Sequence, residues 1–223
     1  MKMPSATKRL WISGALWICV LLATALLIPP PAVAQGVAAT STAATIAPPA
    51  AQKLDIPGVP NAGRVNEFLY RGAQPNATGL SELRKLGVSL VINLETRGES
   101  RNEREEVAAL GMRYVDIPLS GWHPPQPDSV VKFLELLRAN PTQKIFVHCR
   151  YGSDRTSVMM AVYRISQQGW TPDQALAEMH AFHFHLFWHP SMAKYVAQFP
   201  QLFATDPAFA QFRNGTRADP PSR

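Results

Sequence analysis

Ile145-Phe146-Val147-His148-Cys149-Arg150-Tyr151-Gly152-Ser153-Asp154-Arg155-Thr156-Ser157 is the stretch that decides how this chain is read. Its first four residues make a short buried strand, and Thr156–Gln168 carries Val158, Ala161, Val162 and Ile165 on one helical stripe. Between them lies a loop that opens with Cys149 and closes with Arg155. A loop running from a strand into a helix aims successive N–H groups at one point, where the helix N-terminus adds partial positive charge. Gly152 lets the backbone curl without a side-chain clash. Arg155 supplies a planar fork that pairs two oxygens of a tetrahedral anion. Arg150, Tyr151, Gly152, Ser153, Asp154 and Arg155 are therefore expected to wrap a phosphate.

Cys149 stands where the same positive field favours thiolate over thiol. A thiolate there can attack phosphorus and form a cysteinyl-phosphate, which water then hydrolyses. Thr156 is placed to hydrogen-bond the sulfur as it departs, and His148 to orient the loop. The rival is a buried cysteine at a strand end with an unrelated surface arginine. The full string His-Cys-x-x-Gly-x-x-Arg-Thr between strand and helix weighs against it. Sulfur transfer also uses a cysteine loop closed by a basic residue, but such loops are usually shorter.

Outward from this loop the order of elements gives the fold class. Val65–Arg71 reads as an edge strand ended by Gly72 and Pro75, and Leu80, Leu83 and Leu86 mark a short helix stopped by Gly87. Residues 88–94 are nearly all apolar, as in a buried strand. A charged helix over 102–110, a strand over 112–117, a Pro-rich loop over 118–127 and a helix over 129–139 follow. Thr171-Pro172-Asp173-Gln174 opens another helix with a Thr cap and Pro at its first position. The alternation predicts an α/β sandwich around a mostly parallel central sheet flanked by helices.

The N-terminus predicts export. Lys2, Lys8 and Arg9 precede an apolar run over Leu10–Ile28, and a Pro/Ala exit ends at Ala34. Residues 1–34 are read as a signal peptide cut after Ala34, the alternative being an uncleaved anchor, since the run nears the ~20 residues that span a bilayer. The expected location is exported, periplasmic or extracellular, with an inner-membrane anchor if uncleaved. Residues 35–62, rich in Ala, Thr and Pro, read as a flexible linker, 63–213 as the folded domain, and 214–223 as a disordered tail. Cys19 falls in the signal, so the exported part keeps Cys149 alone, without a disulfide partner. The net charge of +6 falls to about +3 without the N-terminal cations, and no Lys/Arg run marks a nucleic-acid arm.

The loop is similar to the Cys-x5-Arg-Ser/Thr signature of protein tyrosine and dual-specificity phosphatases. Leu69-Tyr70-Arg71-Gly72-Ala73-Gln74-Pro75, Val91-Ile92-Asn93-Leu94, Tyr163-Arg164-Ile165, Gln168-Gly169-Trp170 and Ala175-Leu176-Ala177-Glu178-Met179 resemble the atypical dual-specificity group, which includes exported bacterial tyrosine phosphatases. The resemblance covers about 64–180. It implies the phosphatase three-layer sandwich, Cys149 as nucleophile, Arg155 as clamp, and neither metal nor organic cofactor. It implies as substrate a phosphorylated protein or a small anionic phosphate ester, with inositol or lipid phosphates, or a catalytically weak phosphate-binding module, as alternatives. No nucleic acid is implied, and a membrane only through an uncleaved N-terminal segment.

Two departures stand out. Ser157 occupies a place where the family usually has Gly. The loop 118–128 lacks the mid-loop Asp that would protonate the leaving oxygen. Asp128 is the first candidate for that acid, its rival role being a helix cap. Asp154 is the second, its rival role being a loop-stabilising ion pair. Asp116 ranks last, and His123 is an outside candidate. Arg71 and Arg150 are either extra anion ligands or surface arginines. Trp122 either gates the pocket or simply packs. His180, His183, His185 and His189 form either a metal site or, with the aromatics among them, a packed end segment.

Overall fold

The computed structural model describes residues 48–96, 98 and 102–213. The expected signal, the first part of the expected linker and the tail lie outside these residues.

A six-stranded sheet carries the molecule, with strands β1 Gln52–Lys53, β2 Gly63–Arg64, β3 Leu69–Ala73, β4 Val88–Asn93, β5 Arg113–Asp116 and β6 Lys144–Cys149 in the order β1-β2-β3-β6-β4-β5. The pairs β3–β6, β6–β4 and β4–β5 are parallel, and the two pairs that join β1, β2 and β3 are antiparallel. The helices are α1 Ala77–Lys85, α2 Glu103–Ala109, α3 Pro127–Ala139, α4 Asp154–Gln168, α5 Pro172–Ala181, α6 Pro190–Thr205 and α7 Ala210–Arg213. This is the α/β sandwich with a mostly parallel sheet that the alternation predicted.

The period of two along the strands sorts side chains to two faces. Leu69, Leu90, Ile92, Ile145, Val147 and Cys149 join the core under α3–α6. Tyr70, Val88, Val91 and Phe146 join a smaller core with Leu80 and Leu83 of α1 and Val107 of α2. The parity places the Cys149 side chain toward α4 and leaves its neighbour His148 facing α2.

Two expectations are corrected. The strand near Val65–Arg71 is Leu69–Ala73, and it is interior rather than an edge, buried at all five residues. Its outer neighbour is β2, and β2 is covered in turn by β1, which comes from the expected linker. The Pro-rich composition of 48–62 masks a folded segment, in which Ile56, Val59 and Ala62 are buried and Leu54 N–H donates to the Ala62 carbonyl at 3.0 Å. Pro48 accepts from Trp170 Nε1 at 3.2 Å, and Ala51 N–H donates to Glu178 at 2.7 Å. The described domain thus begins at Pro48. The cap at Thr171 is a full capping box, with Thr171 Oγ1 accepting from Gln174 N–H at 3.3 Å and Gln174 Oε1 accepting from Thr171 N–H at 2.9 Å. Helix α6, which the aromatic and histidine content of the end segment did not reveal, packs on α4 and α5.

Candidate active site

Cys149 ends β6, 3% exposed, with Ala73 of β3 beside it in register. The chain then turns through an exposed Arg150 and Tyr151 into Gly152, at φ +66°, and enters α4. A Cβ at Gly152 would lie 2.4 Å from the carbonyl carbon of Gly72 and 2.5 Å from the amide nitrogen of Ala73, so the loop rests directly on the backbone of β3. No side chain caps α4 at Ser153. The partial positive charge of a fifteen-residue helix therefore points at the loop, with the Asp154 carboxylate in its first turn beside it. Arg155 is buried in the first turn of α4 at 8% exposure, and Thr156 and Ser157 are fully buried behind it. The Thr156 hydroxyl has no hydrogen-bond partner, so the bond to sulfur expected from the sequence is not formed in this arrangement.

Arg71 is neither a surface arginine nor a ligand at the mouth. It is fully buried behind the loop, where Nη2 donates to the Gly152 carbonyl at 2.7 Å and to Ser157 Oγ at 2.8 Å. Its guanidinium lies over the Phe182 ring at 3.9 Å. Burial pushes Arg71 down to about 10, opposed by the charges of Glu178 and Cys149 and assisted by Arg164. It remains a cation near neutral pH. The contact also accounts for Ser157, whose hydroxyl, absent from the usual glycine, accepts the guanidinium. Arg150 stays exposed, with its guanidinium 5.7 Å from the Tyr151 ring.

His148 is fully buried on the opposite face. Its Nε2 lies 3.0 Å from Glu103 Oε1 and its Nδ1 3.8 Å from Glu95 Oε1. Glu103 Oε2 also accepts from the Tyr114 hydroxyl at 3.1 Å, and that hydroxyl accepts from Asn93 at 2.8 Å. Burial first, then the charges of Glu103 and Asp116, push the Tyr114 phenol far above its ordinary range. His148 thus lies between carboxylates of α2 and of the turn after β4, with neither ring nitrogen in a hydrogen bond among the described residues. Asp116 is drawn into the same system through Asn93 and an ion pair with Arg104, which removes it from the mouth.

Asp154 is held from three directions. Its Oδ1 accepts from His185 N–H at 3.0 Å, His185 Nδ1 lies 3.2 Å from both carboxylate oxygens, and Ser153 Oγ donates to Oδ2 at 3.1 Å. His189 Nε2 is 3.7 Å from Oδ2. Asp154 therefore pins the 182–189 turn to the phosphate loop. Asp128 lies exposed in the first turn of α3, where Gln126 rather than Asp128 is the capping residue. The loop that Asp128 ends reaches the same mouth, because the Trp122 ring meets the His189 ring at a tilt, 5.3 Å between centroids.

The histidines do not assemble as a metal site. His185 and His189 attend Asp154, His183 lies 3.3 Å from Lys53, and His180 meets the Phe184 ring edge-on. Among the described residues no group of three or more His, Cys, Asp or Glu is placed to hold a metal ion.

Arg164 and Glu178, quoted above only for the resemblance and without a role, form a buried pair. Arg164 Nη2 lies 2.7 Å from Glu178 Oε2, and the guanidinium sits 4.2 Å from the Trp170 ring centroid. The signal available was an arginine inside an apolar helical stripe, with a glutamate flanked by apolar residues one helix later.

A model of the family described as "DSP-PTPase phosphatase fused to NAD+ Kinase" matches residues 60–189. The dual specificity protein phosphatase TpbA of Pseudomonas aeruginosa is 31% identical over 141 residues, which cover 63% of this chain and 62% of TpbA. The phosphatidylglycerophosphate phosphatase PTPMT2 of Arabidopsis thaliana is 25% identical over 142 residues, covering 62% of each chain. A crystal structure of a cysteine-to-serine variant of TpbA in complex with phosphotyrosine superposes with a TM-score of 0.59 at 26% identity, over 77% of this chain and 98% of that one. The chain thus spans 62% of the length of these curated relatives.

Proposed function

The chain belongs to the DSP-PTPase phosphatase family, and from that premise we propose that it hydrolyses phosphomonoesters, phosphotyrosine foremost, through a covalent phosphate on Cys149. The observation that carries this reading is the loop itself: a buried cysteine at a strand end, a left-handed glycine pressed on β3, and a buried arginine in the first turn of an uncapped helix.

The phosphate oxygens sit against the loop N–H groups, and Arg155 pairs two of them. The Cys149 thiolate attacks phosphorus, forming the S–P bond as the ester P–O bond breaks. An acid gives its proton to the departing oxygen. Water then attacks phosphorus, its proton returns to that group, the S–P bond breaks, and phosphate leaves with the thiolate restored. Asp128 is assigned as the acid. Asp154 has its oxygens occupied by His185 and Ser153 and serves as a tether.

The test is hydrolysis of p-nitrophenyl phosphate and of a phosphotyrosine peptide by the parent, Cys149→Ser, Asp128→Asn and Asp154→Asn. Cys149→Ser is expected to abolish turnover, and Asp128→Asn to lower it by ~10²–10⁴-fold. A fall of that size in Asp154→Asn alone moves the acid to Asp154. A parent that binds phosphopeptide without turnover under reducing conditions makes the chain a phosphate-binding module, and thiosulfate activity makes it a sulfurtransferase. A second reading, a lipid or inositol phosphate as substrate, is supported by the similarity to PTPMT2 and is tested by adding those esters to the panel.

Export belongs to the same proposal. Among the described residues no helix is long and apolar enough to cross a membrane, so the reading rests on the sequence of residues 1–34. Mass spectrometry of exported protein is expected to find Gln35 at the N-terminus, and an intact Met1 or Lys2 end overturns cleavage.

A further inference from the structure

Six large apolar side chains stand exposed among the described residues, and five of them lie at the mouth of the phosphate loop: Trp122 (64%), Tyr151 (65%), Leu186 (46%), Phe187 (85%) and Trp188 (63%). Contacts bind them into one rim. His185 is fastened to Asp154 of the phosphate loop, Trp188 N–H donates to the His185 carbonyl, Phe187 and Trp188 stack edge to face, and Trp122 lies on His189. Asn61 joins the remaining side by donating to the carbonyls of Tyr151 and Phe182.

We infer that this rim is a docking surface for an anionic lipid bilayer, with Leu186-Phe187-Trp188 as the element that enters it. Three consecutive apolar residues at a loop tip, one of them 85% exposed, stand open to solvent. A peptide partner is recognised by pockets and hydrogen-bonding edges. Exposed aromatics suit the bilayer interface, where amphipathic rings settle among the headgroups.

The charge around the tip agrees. The segments 118–127, 149–153 and 182–190 carry Arg150, His123, His183, His185 and His189, and Asp128, directly after the first, is the exposed carboxylate beside them. Lys53, 3.3 Å from His183, is, after Arg150, a second formal cation at the edge. Asp154, the one acidic residue in the loop they surround, is turned onto His185. Basic residues beside an interfacial apolar element favour anionic lipids. The chain outside the described residues supplies the reach. If the run Leu10–Ile28 is retained as an anchor, the stretch 29–47 that separates it from Pro48 spans at most about 65 Å, which keeps the domain within touching distance of the same membrane.

The experiment is amide hydrogen exchange on the full chain reconstituted into vesicles containing phosphatidylglycerol, and separately into phosphatidylcholine vesicles. Peptide-level readout separates insertion of the N-terminal run from docking at the mouth. On the anionic vesicles, amides of 183–188 and those flanking Trp122 are expected to exchange at least about ten-fold more slowly than on phosphatidylcholine. That protection is expected to vanish in the Leu186→Ser/Phe187→Ser variant, while its rate on p-nitrophenyl phosphate stays at the parent value. Equal exchange on both vesicles overturns the inference. Protection that appears only on adding a tyrosine-phosphorylated peptide also overturns it and makes the rim a protein-docking surface. Exchange is read without turnover, so failure of docking and failure of the phosphatase reading are seen separately.

Discussion

The two sides of the phosphate loop are built from opposite materials. Behind it lie buried charged and polar side chains: Arg71 under Gly152, His148 between Glu95 and Glu103, and Arg164 on Glu178. In front of it stand exposed aromatic side chains on the two loops and on the phosphate loop itself. Apolar residues in solvent and charged residues in the core each cost free energy, so each set marks work beyond folding. The buried charged and polar groups fix the shape and field of the loop. The exposed rings present that loop to something outside the molecule.

The contrast predicts that substitutions behind the loop are felt first in stability, and the largest such effect belongs to Glu178. It neutralises Arg164 and accepts the Ala51 amide, so Glu178→Ala leaves a fully buried guanidinium unpaired and loosens the 48–51 segment together. A loss of about 3–5 kcal/mol is expected in urea denaturation. Replacing both Arg164 and Glu178 with apolar residues is expected to recover much of it, since the cost lies in the unpaired charge. A loss under about 1 kcal/mol would erase the distinction between the two sides.

Gly152 is next. A methyl group there meets backbone atoms of Gly72 and Ala73 well inside contact distance, at a φ that side chains avoid. The loop must lift from β3, and a displacement of about 1 Å costs on the order of 10²-fold in rate. Gly152→Ala is expected to lose kcat on p-nitrophenyl phosphate to that extent while retaining the fold, as checked by circular dichroism and the urea midpoint.

Arg71 sharpens the comparison by separating shape from field. Its charge and that of a Cys149 thiolate attract each other. Removing the charge makes the thiolate harder to form, so the acid limb of kcat/KM is expected to move to higher pH in Arg71→Met. Arg71→Lys keeps the charge and loses the fork that joins Gly152 to Ser157. It is expected to lower kcat with the acid limb unmoved. A limb that moves equally in both variants would make Arg71 purely a strut.

The parts of this arrangement were unequally legible in the sequence. The loop, its flanking strand and helix, and the helix order could be read because each depends on residues close together in the chain. The short-range signals at Gly152 and Thr171 were sufficient for the same reason. Arg71, Glu95 and Glu103 could not be given roles, because what they touch lies on other elements, and only the pairing of β3 with β6 brings Arg71 beneath Gly152. The segment 48–62 was misread because a composition rich in proline resembles a linker whether or not a neighbouring helix holds it. Here Trp170 and Glu178 do so. For Asp154 the sequence allows a loop-stabilising ion pair but does not point to its partner, because His185 is thirty-one residues away.

The smallest expected effect lies in front. Trp122 is 64% exposed and touches His189 at 5.3 Å, so its side chain contributes little burial to the folded state. Trp122→Ala is expected to shift stability by no more than about 0.5 kcal/mol, as surface substitutions away from buried networks usually do, with the acid limb of the pH profile unmoved. The ring forms part of the wall around the mouth, so a change in KM for phosphotyrosine peptide without a matching change for p-nitrophenyl phosphate would place it in contact with the larger substrate. A destabilisation approaching that of Glu178→Ala would mean that the 118–126 loop holds α6 in place through Trp122 and His189, and that the front of the loop is structural as well.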